Sequence, residues 1–267
     1  MAELNPIQLW RRLLSLPNES RTKTIVIAFL ISSVCAVMVT GATVALRPIQ
    51  AQNRALEQQT RLEALLAEIP GLSQILAASD DMALSTVVVD LRRAEAALDV
   101  TPETLPAALA NSGNWTELSP QEDIANLGSR ANLKQVYLLR GPDDRVELVI
   151  LPVSGTGYGG PIEAMIAIEA DMNTVAGLAV MSHGETPGLG ARIDEPAWRT
   201  QFAGKQVADE TGTVRLSVAQ GTATTEYEVD AITGATRTST AMARMLQFWL
   251  GPQGYGPLLD AIRRGEF

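Results

Sequence analysis

Apolar and polar positions divide the chain into three regimes. Residues 24–46 run for 23 positions without a charge. As a helix this run would be ~34 Å long, enough to cross a bilayer. It is too long, and too far from the N-terminus, for a cleaved signal peptide. Arg11, Arg12, Arg21 and Lys23 precede it, whereas Arg47, Arg54 and Arg61 follow more sparsely, mixed with Glu57 and Glu63. That bias points to a cytoplasmic N-terminus and a single-pass anchor. The remainder would then lie beyond the cytoplasmic membrane, which in a bacterium with two membranes is the periplasm.

In the second regime, Ala55, Leu62, Leu65, Leu66 and Ile69 recur among charged residues at helical spacing. They predict a helical stalk over 47–70, ended by Pro70 and Gly71. Residues 73–98 also read as helix, as do 101–110, the latter with Thr101 as cap and Pro102 in the first turn. The segment 71–132 is therefore expected to be helical.

Strict alternation then takes over. Residues 135–140 and 145–153 predict a hairpin around Gly-Pro-Asp-Asp, and 162–170 with 175–185 a second around Asp-Met-Asn. A short helix is expected over 194–202, capped by Asp194 with Pro196 in its first turn. Residues 213–219 and 226–232 predict a third hairpin, feeding a helix over 238–250. Hairpins with helices gathered around them give an α+β domain on an antiparallel sheet, folding independently of the anchor.

Composition narrows the function. A net charge of -9 gives an acidic surface that disfavours nucleic acid. With one cysteine, Cys35, and one histidine, His183, the chain can form neither an internal disulfide nor a Cys/His metal cluster. Any redox chemistry must come from a cofactor. Cys35 reads as a small buried hydrophobe, and His183 as a structural or surface histidine.

Three glycine-bearing stretches remain: SGTGYGGP (154–161), HGETPGLG (183–190) and DAITGAT (230–236). The first lacks the spacing, helix and acidic residue of a dinucleotide fingerprint and reads as a tight turn, with Tyr158 as its aromatic. In the second, Pro187 stiffens a loop that Gly184, Gly188 and Gly190 allow to turn, holding Leu189 exposed on an arch. Such an arch can press an apolar side chain and several N–H groups against a flat ring, with Glu185 as acceptor and Thr186 as donor. In the third, Thr238 or Ser239 would cap the helix and leave Thr236 just upstream, where unpaired amides and the positive helix end make an anion seat. Arg237 could assist, and Gly234 and Ala235 leave room for an enzyme to reach the Thr236 hydroxyl. Taken alone, TGAT also reads as an ordinary turn with redundant caps.

Together these residues carry a resemblance. D-x-x-[ST]-G-A-T, here Asp230, Thr233, Gly234, Ala235 and Thr236, is similar to the sequence at which a flavin transferase attaches FMN through a phosphoester to the last threonine. HGETPGLG resembles the companion segment of the FMN-binding domain family. Likeness to the C subunits of sodium-translocating NADH:quinone oxidoreductases runs nearly end to end, through LPNESRTKT, PAWRTQFAGK and GPLLDAIRRGEF. The G subunits of Rnf ferredoxin:NAD complexes share the flavin domain. They lack so long a segment between span and first hairpin, and they start the arch with HH rather than HG. Thr233 stands where serine is usual and keeps the hydroxyl.

The resemblance implies an FMN-binding domain over 133–267 behind a transmembrane helix. It implies FMN covalently bound to Thr236, and recognition by the transferase through Asp230, Thr233, Gly234, Ala235 and Thr236. Tyr158, Glu185, Thr186, Gly188, Leu189, Thr233, Gly234 and Ala235 would surround the cofactor. Lys205 would be a second cation for its phosphate, and Glu185 would orient the arch or sense the flavin's protonation. The partners would be membrane subunits of the A, B, D, E and F types. Electrons would come from NADH oxidised elsewhere in the complex and leave towards a second covalent FMN, riboflavin and ubiquinone, as sodium moves outward. Rival readings are a G-type Rnf subunit, a flavin-binding regulatory or scaffolding membrane protein, and a structural protein without cofactor.

Overall fold

The structure, a computed structural model, describes residues 23–41 and 83–267 together with Ser15, Pro17, Ser20 and Arg21. The predicted stalk over 47–70, most of the N-terminal segment and residues 71–82 lie outside the described residues. The chain separates into two units, Met1–Arg61 and Leu62–Phe267. In the first, helix α1 (Lys23–Gly41) has 19 residues and a mean hydropathy of 2.3, long and apolar enough to cross a membrane. Cys35, expected to be buried, is exposed on it, because none of that apolar window is covered by protein.

β-branched and aliphatic runs build the second unit. Strands β1 (Ala83–Asp90), β2 (Glu95–Ala96), β5 (Leu133–Arg140), β6 (Val146–Thr156), β7 (Pro161–Glu169) and β8 (Val175–His183) form one antiparallel sheet in the order β2-β1-β5-β6-β7-β8. Helix α2 (Leu105–Leu109) and the short pair β3 (Trp115–Glu117) and β4 (Ser129–Ala131) lie between β2 and β5 in sequence. Val136 and Leu138 of β5, Val149, Leu151 and Val153 of β6, and Ile162, Ala164 and Ile166 of β7 share one buried face. The intervening Leu139, Leu148, Ile150 and Ala167 form a smaller cluster on the other. This alternation is what the sequence predicts for 135–185.

The main face is closed by helix α4 (Thr236–Leu250), whose Met242, Met245, Leu246, Trp249 and Leu250 recur at helical spacing and are all buried. Trp249 Nε1 donates to the Ser154 carbonyl at 2.6 Å, and the Tyr255 hydroxyl to that of Pro152 at 2.8 Å, tying the far end of α4 to β6. Helix α5 (Gly256–Arg263) follows. These ties hold α4 along β6, and the β6–β7 turn and the start of α4 line a cleft together.

Four expectations are corrected. Residues 83–90, read as helix, form β1, paired residue for residue with β5. Its Val87-Val88-Val89 run is β-branched and stiff at χ1, and burial beside β5 decides the outcome against helix propensity. The segment 71–132 is thus not wholly helical, and the sheet begins before residue 133. Within 101–110, only Leu105–Leu109 is helical, after a turn in which Thr104 Oγ1 accepts the Thr101 N–H at 2.9 Å.

The helix expected over 194–202 is broken into a tight turn at Gly190–Asp194, α3 (Pro196–Arg199) and a second tight turn at Thr200–Phe202. Pro196 forces Glu195 into an extended conformation, so Glu195 rather than Asp194 precedes the helix. Finally β9 (Ser217–Val218) and β10 (Glu228–Val229) pair in parallel, not as a hairpin. The chain between them is no tight turn. It folds back on itself, with Asp230 Oδ1 accepting the Ala223 N–H at 2.7 Å.

Asp90, buried at the end of β1, accepts hydrogen bonds from Arg92 N at 2.9 Å, Arg92 Nη2 at 3.1 Å and Arg93 Nε at 3.2 Å. Burial raises its pKa, but the bonds and charge of Arg92, with Arg93, outweigh it and hold the carboxyl below its ordinary 3.8. A depressed folded-state value means the stabilisation is complete above the unfolded value and lost as pH falls through the folded one. Asp90→Asn should therefore cost about 1.5–3 kcal/mol at pH 7, with the deficit shrinking as pH falls below 3.8. Urea unfolding across that range measures it. A deficit independent of pH would contradict the assignment.

Candidate functional site

The three glycine-bearing stretches meet at one cleft of about 420 Å³, lined by Tyr158, Glu185, Thr186, Leu189, Gly190 and residues 234–238. Each arrives from a different element: the β6–β7 turn carries Tyr158, the segment after β8 forms the arch, and the loop after β10 leads into α4.

α4 starts two residues earlier than expected. Thr236 is its first residue, and Ala235, in the cap position, offers no side-chain oxygen. The first helical bond runs from the Ser239 N–H to the Ala235 carbonyl at 2.9 Å. The amides of residues 236–238 are thus the ones a helix leaves without an internal acceptor, and no cap takes them up. Thr238 and Ser239, expected as caps, turn into the protein instead. Thr238 Oγ1 donates to Glu185 Oε2 at 2.5 Å, and Ser239 Oγ accepts the Ile232 N–H at 3.0 Å. Buried hydroxyls must find partners, and here they find them across the site. Thr236, by contrast, is exposed beside the cleft.

Glu185 is the hub that joins the three stretches. It is 5 % exposed, accepts the Gly159 N–H on Oε1 at 3.0 Å and the Thr238 hydroxyl on Oε2. Its own N–H donates to His183 Nδ1 at 3.2 Å, which gives the only histidine a structural task. The glycines around it are required by close approach. A Cβ on Gly159 would lie 2.1 Å from the Gly184 carbonyl oxygen, and one on Gly190 2.5 Å from Glu185 Oε2 and 2.6 Å from Thr238 Oγ1.

The arch is built as its sequence suggests. The Thr186 carbonyl accepts both the Leu189 and Ala191 N–H groups at 3.1 Å, Gly188 takes a φ of 75°, and Leu189 stands 47 % exposed. Gly234, at a φ of 82°, lies under Leu189. Across the cleft, the Arg237 guanidinium sits 5.2 Å from the centre of the exposed Tyr158 ring, a cation–π contact.

Four predicted residues, Gly188, Lys205, Asp230 and Thr233, stand outside the lining. Lys205 donates from Nζ to the Thr225 carbonyl at 3.2 Å and does not line the cleft. Asp230 braces the motif from behind: its carboxylate holds Ala223, its carbonyl accepts from Trp198 Nε1 at 2.8 Å and its N–H donates to Gln201 Oε1 at 2.9 Å. Thr233 is exposed at the turn and also lies outside the lining. Sequence reasoning missed the roles of Thr238 and Gly190 at the hub, and the bracing pair Trp198 and Gln201. A buried hydroxyl three residues into an amphipathic helix was the available signal for Thr238; the others carry no local one.

The arrangement offers an accessible alcohol, a seat for one anionic group and an apolar shelf at Leu189. Comparisons with known proteins agree with that chemistry. The FMN-binding domain family model matches residues 157–251, a span that contains all three walls of the cleft. The C subunit of the Na(+)-translocating NADH-quinone reductase of Yersinia pestis is 36% identical over 258 residues, covering 93% of this chain and 95% of that one. The protein of the same name from Pseudomonas aeruginosa is 36% identical over 260 residues, 93% of this chain and 98% of its own. Among solved structures, the crystal structure of Shewanella oneidensis NqrC superposes with a TM-score of 0.66 at 26% identity, covering 79% of this chain and 99% of that one. The corresponding C subunit from Parabacteroides distasonis, at 23% identity and a TM-score of 0.54 over 80% of this chain and 96% of its own, supports the fold alone.

Proposed function

Because this chain belongs to the C subunits of the Na(+)-translocating NADH-quinone reductases, and so is one part of an oxidoreductase complex, we propose that it relays electrons through an FMN held by a phosphoester on Thr236. The observation that carries this reading is an exposed threonine hydroxyl at the uncapped start of α4, on the wall of a cleft inside an FMN-binding domain. The residues present suit the group. Unpaired amides at 236–238 and the Arg237 guanidinium would hold the remaining phosphate charge. Leu189 and Tyr158 would flank a flat ring, with Thr186 and the Gly188 backbone at its polar edge. Bound there, FMN supplies reversible electron acceptance, which no side chain of this protein can.

The chain's own work is positional. Thr236 performs no acid–base step; as a tether it prevents the cofactor from leaving or turning. Glu185 holds the ring-facing arch and the first turn of α4 in one rigid frame. Asp230, Thr233, Gly234 and Ala235 would present the alcohol to a flavin transferase, with Asp230 acting through the loop it braces. α1 would anchor the chain in the bacterial inner membrane, N-terminus inside and the sheet domain in the periplasm, beside subunits of the A, B, D, E and F types.

A complex assembled with Thr236→Val tests the relay. NADH oxidation with an artificial acceptor should persist, because it occurs elsewhere, while NADH-driven quinone reduction should fall to background. Undiminished quinone reduction would rule the relay out.

A further inference from the structure

A second cleft, of about 520 Å³, adjoins the first and shares Tyr158, Thr236 and Arg237 with it; its remaining lining includes Ile124, Asn126, Thr240 and Arg244. Two observations make it unusual. Across residues 83–267, every arginine except Arg237 and Arg244 has a hydrogen bond, ion pair or other polar contact within the described residues. Arg237 has only the Tyr158 ring, and Arg244 no hydrogen bond or ion pair among the described residues. Moreover, Ile124, Tyr158 and Leu189, three of the large exposed hydrophobics of this unit, all line one or other of the two clefts. A chain of net charge -9 has carboxylates to spare, yet leaves both cations open on one wall.

We propose that this second cleft docks an acidic segment of another protein of the complex, against Arg244 and the Ile124–Tyr158 rim. Arg237 and Arg244 are seven residues apart, so they share a face of α4 and their Cα atoms lie ~10.5 Å apart along its axis. One small anion at Thr236 meets the first and leaves the second unpaired. Guanidinium groups take carboxylates in paired hydrogen bonds, and exposed tyrosine and arginine with an aliphatic rim are the composition of interface centres. On a chain of net charge -9, pairing of an acidic segment with Arg244 would also fix the partner's orientation. The location extends the flavin reading, since a segment docked here would lie directly beside Thr236.

The test uses the whole complex, with the tagged chain carrying Arg244→Glu or Arg244→Ala, and reads two things separately. Covalent flavin on the chain, seen as fluorescence after denaturation, should equal wild type. Retention of the other subunits in rising salt should weaken at least about tenfold for the charge reversal and less for alanine. A photoreactive residue at position 244 should cross-link an identified partner through a peptide containing Asp or Glu. Retention equal to wild type for both variants, or a cross-linked peptide with no acidic residue, would overturn the proposal. So would loss of flavin with the partners still bound, because the cleft would then belong to the cofactor's own anion site. Wild-type chain without flavin would defeat the relay reading and leave the retention measurement intact.

Discussion

Replacing Thr236 by valine is expected to abolish covalent flavin while leaving the fold intact. Valine keeps the branched shape and removes only the hydroxyl, and the position is exposed and makes no capping bond. The stability change should therefore stay within about 0.5 kcal/mol. Thr236→Ser keeps an alcohol at the same point on the first turn and should still be labelled. When the chain is made together with a flavin transferase and run on a denaturing gel, the fluorescent band should be present for wild type and serine and absent for valine. A band in the valine variant would mean that another residue carries the flavin.

The second large effect is expected at Glu185. In Glu185→Leu the Gly159 N–H and the Thr238 hydroxyl lose their common acceptor in a buried place. Hydrogen bonds to a charged group are worth about 1.5–3 kcal/mol each, and the stranded donors add their own desolvation, so a loss of about 3–5 kcal/mol follows. Glu185→Gln can accept through only one oxygen and should fall between. Because the carboxylate connects the arch to the helix that bears Thr236, labelling should slow in the same order, wild type, glutamine, leucine. Denaturant midpoints and labelling rates provide both readouts. Equal stability of the three would show that the hydrogen bonds contribute nothing.

The sequence discloses those parts of this fold that depend on local pattern. Alternation over 135–185 places β5 to β8, and the spacing of Met242, Met245, Leu246, Trp249 and Leu250 gives α4 its buried face. The arch is equally readable, because Pro187 and the glycines restrict the backbone wherever the loop is placed. What stays hidden is set by partners distant in the chain. β1 becomes a strand because β5 lies beside it. Glu185 and Thr238 are 53 residues apart, so their contact has no local signature. Lys205 is eligible by charge alone, yet its amine is taken by the Thr225 carbonyl. Arg244 is one more solvated charge in the sequence; only the fold shows the cleft it lines and, among the described residues, no hydrogen bond or ion pair to it.

The central claim is a covalent bond between the Thr236 oxygen and a flavin phosphate, and mass spectrometry of the proteolytic peptide spanning residue 236, from protein matured in its natural host, reads it directly. The account predicts a peptide heavier by one FMN less one water, with fragment ions placing the increment on Thr236. An unmodified peptide, or the increment on Thr233, Thr238 or Ser239 instead, would contradict it.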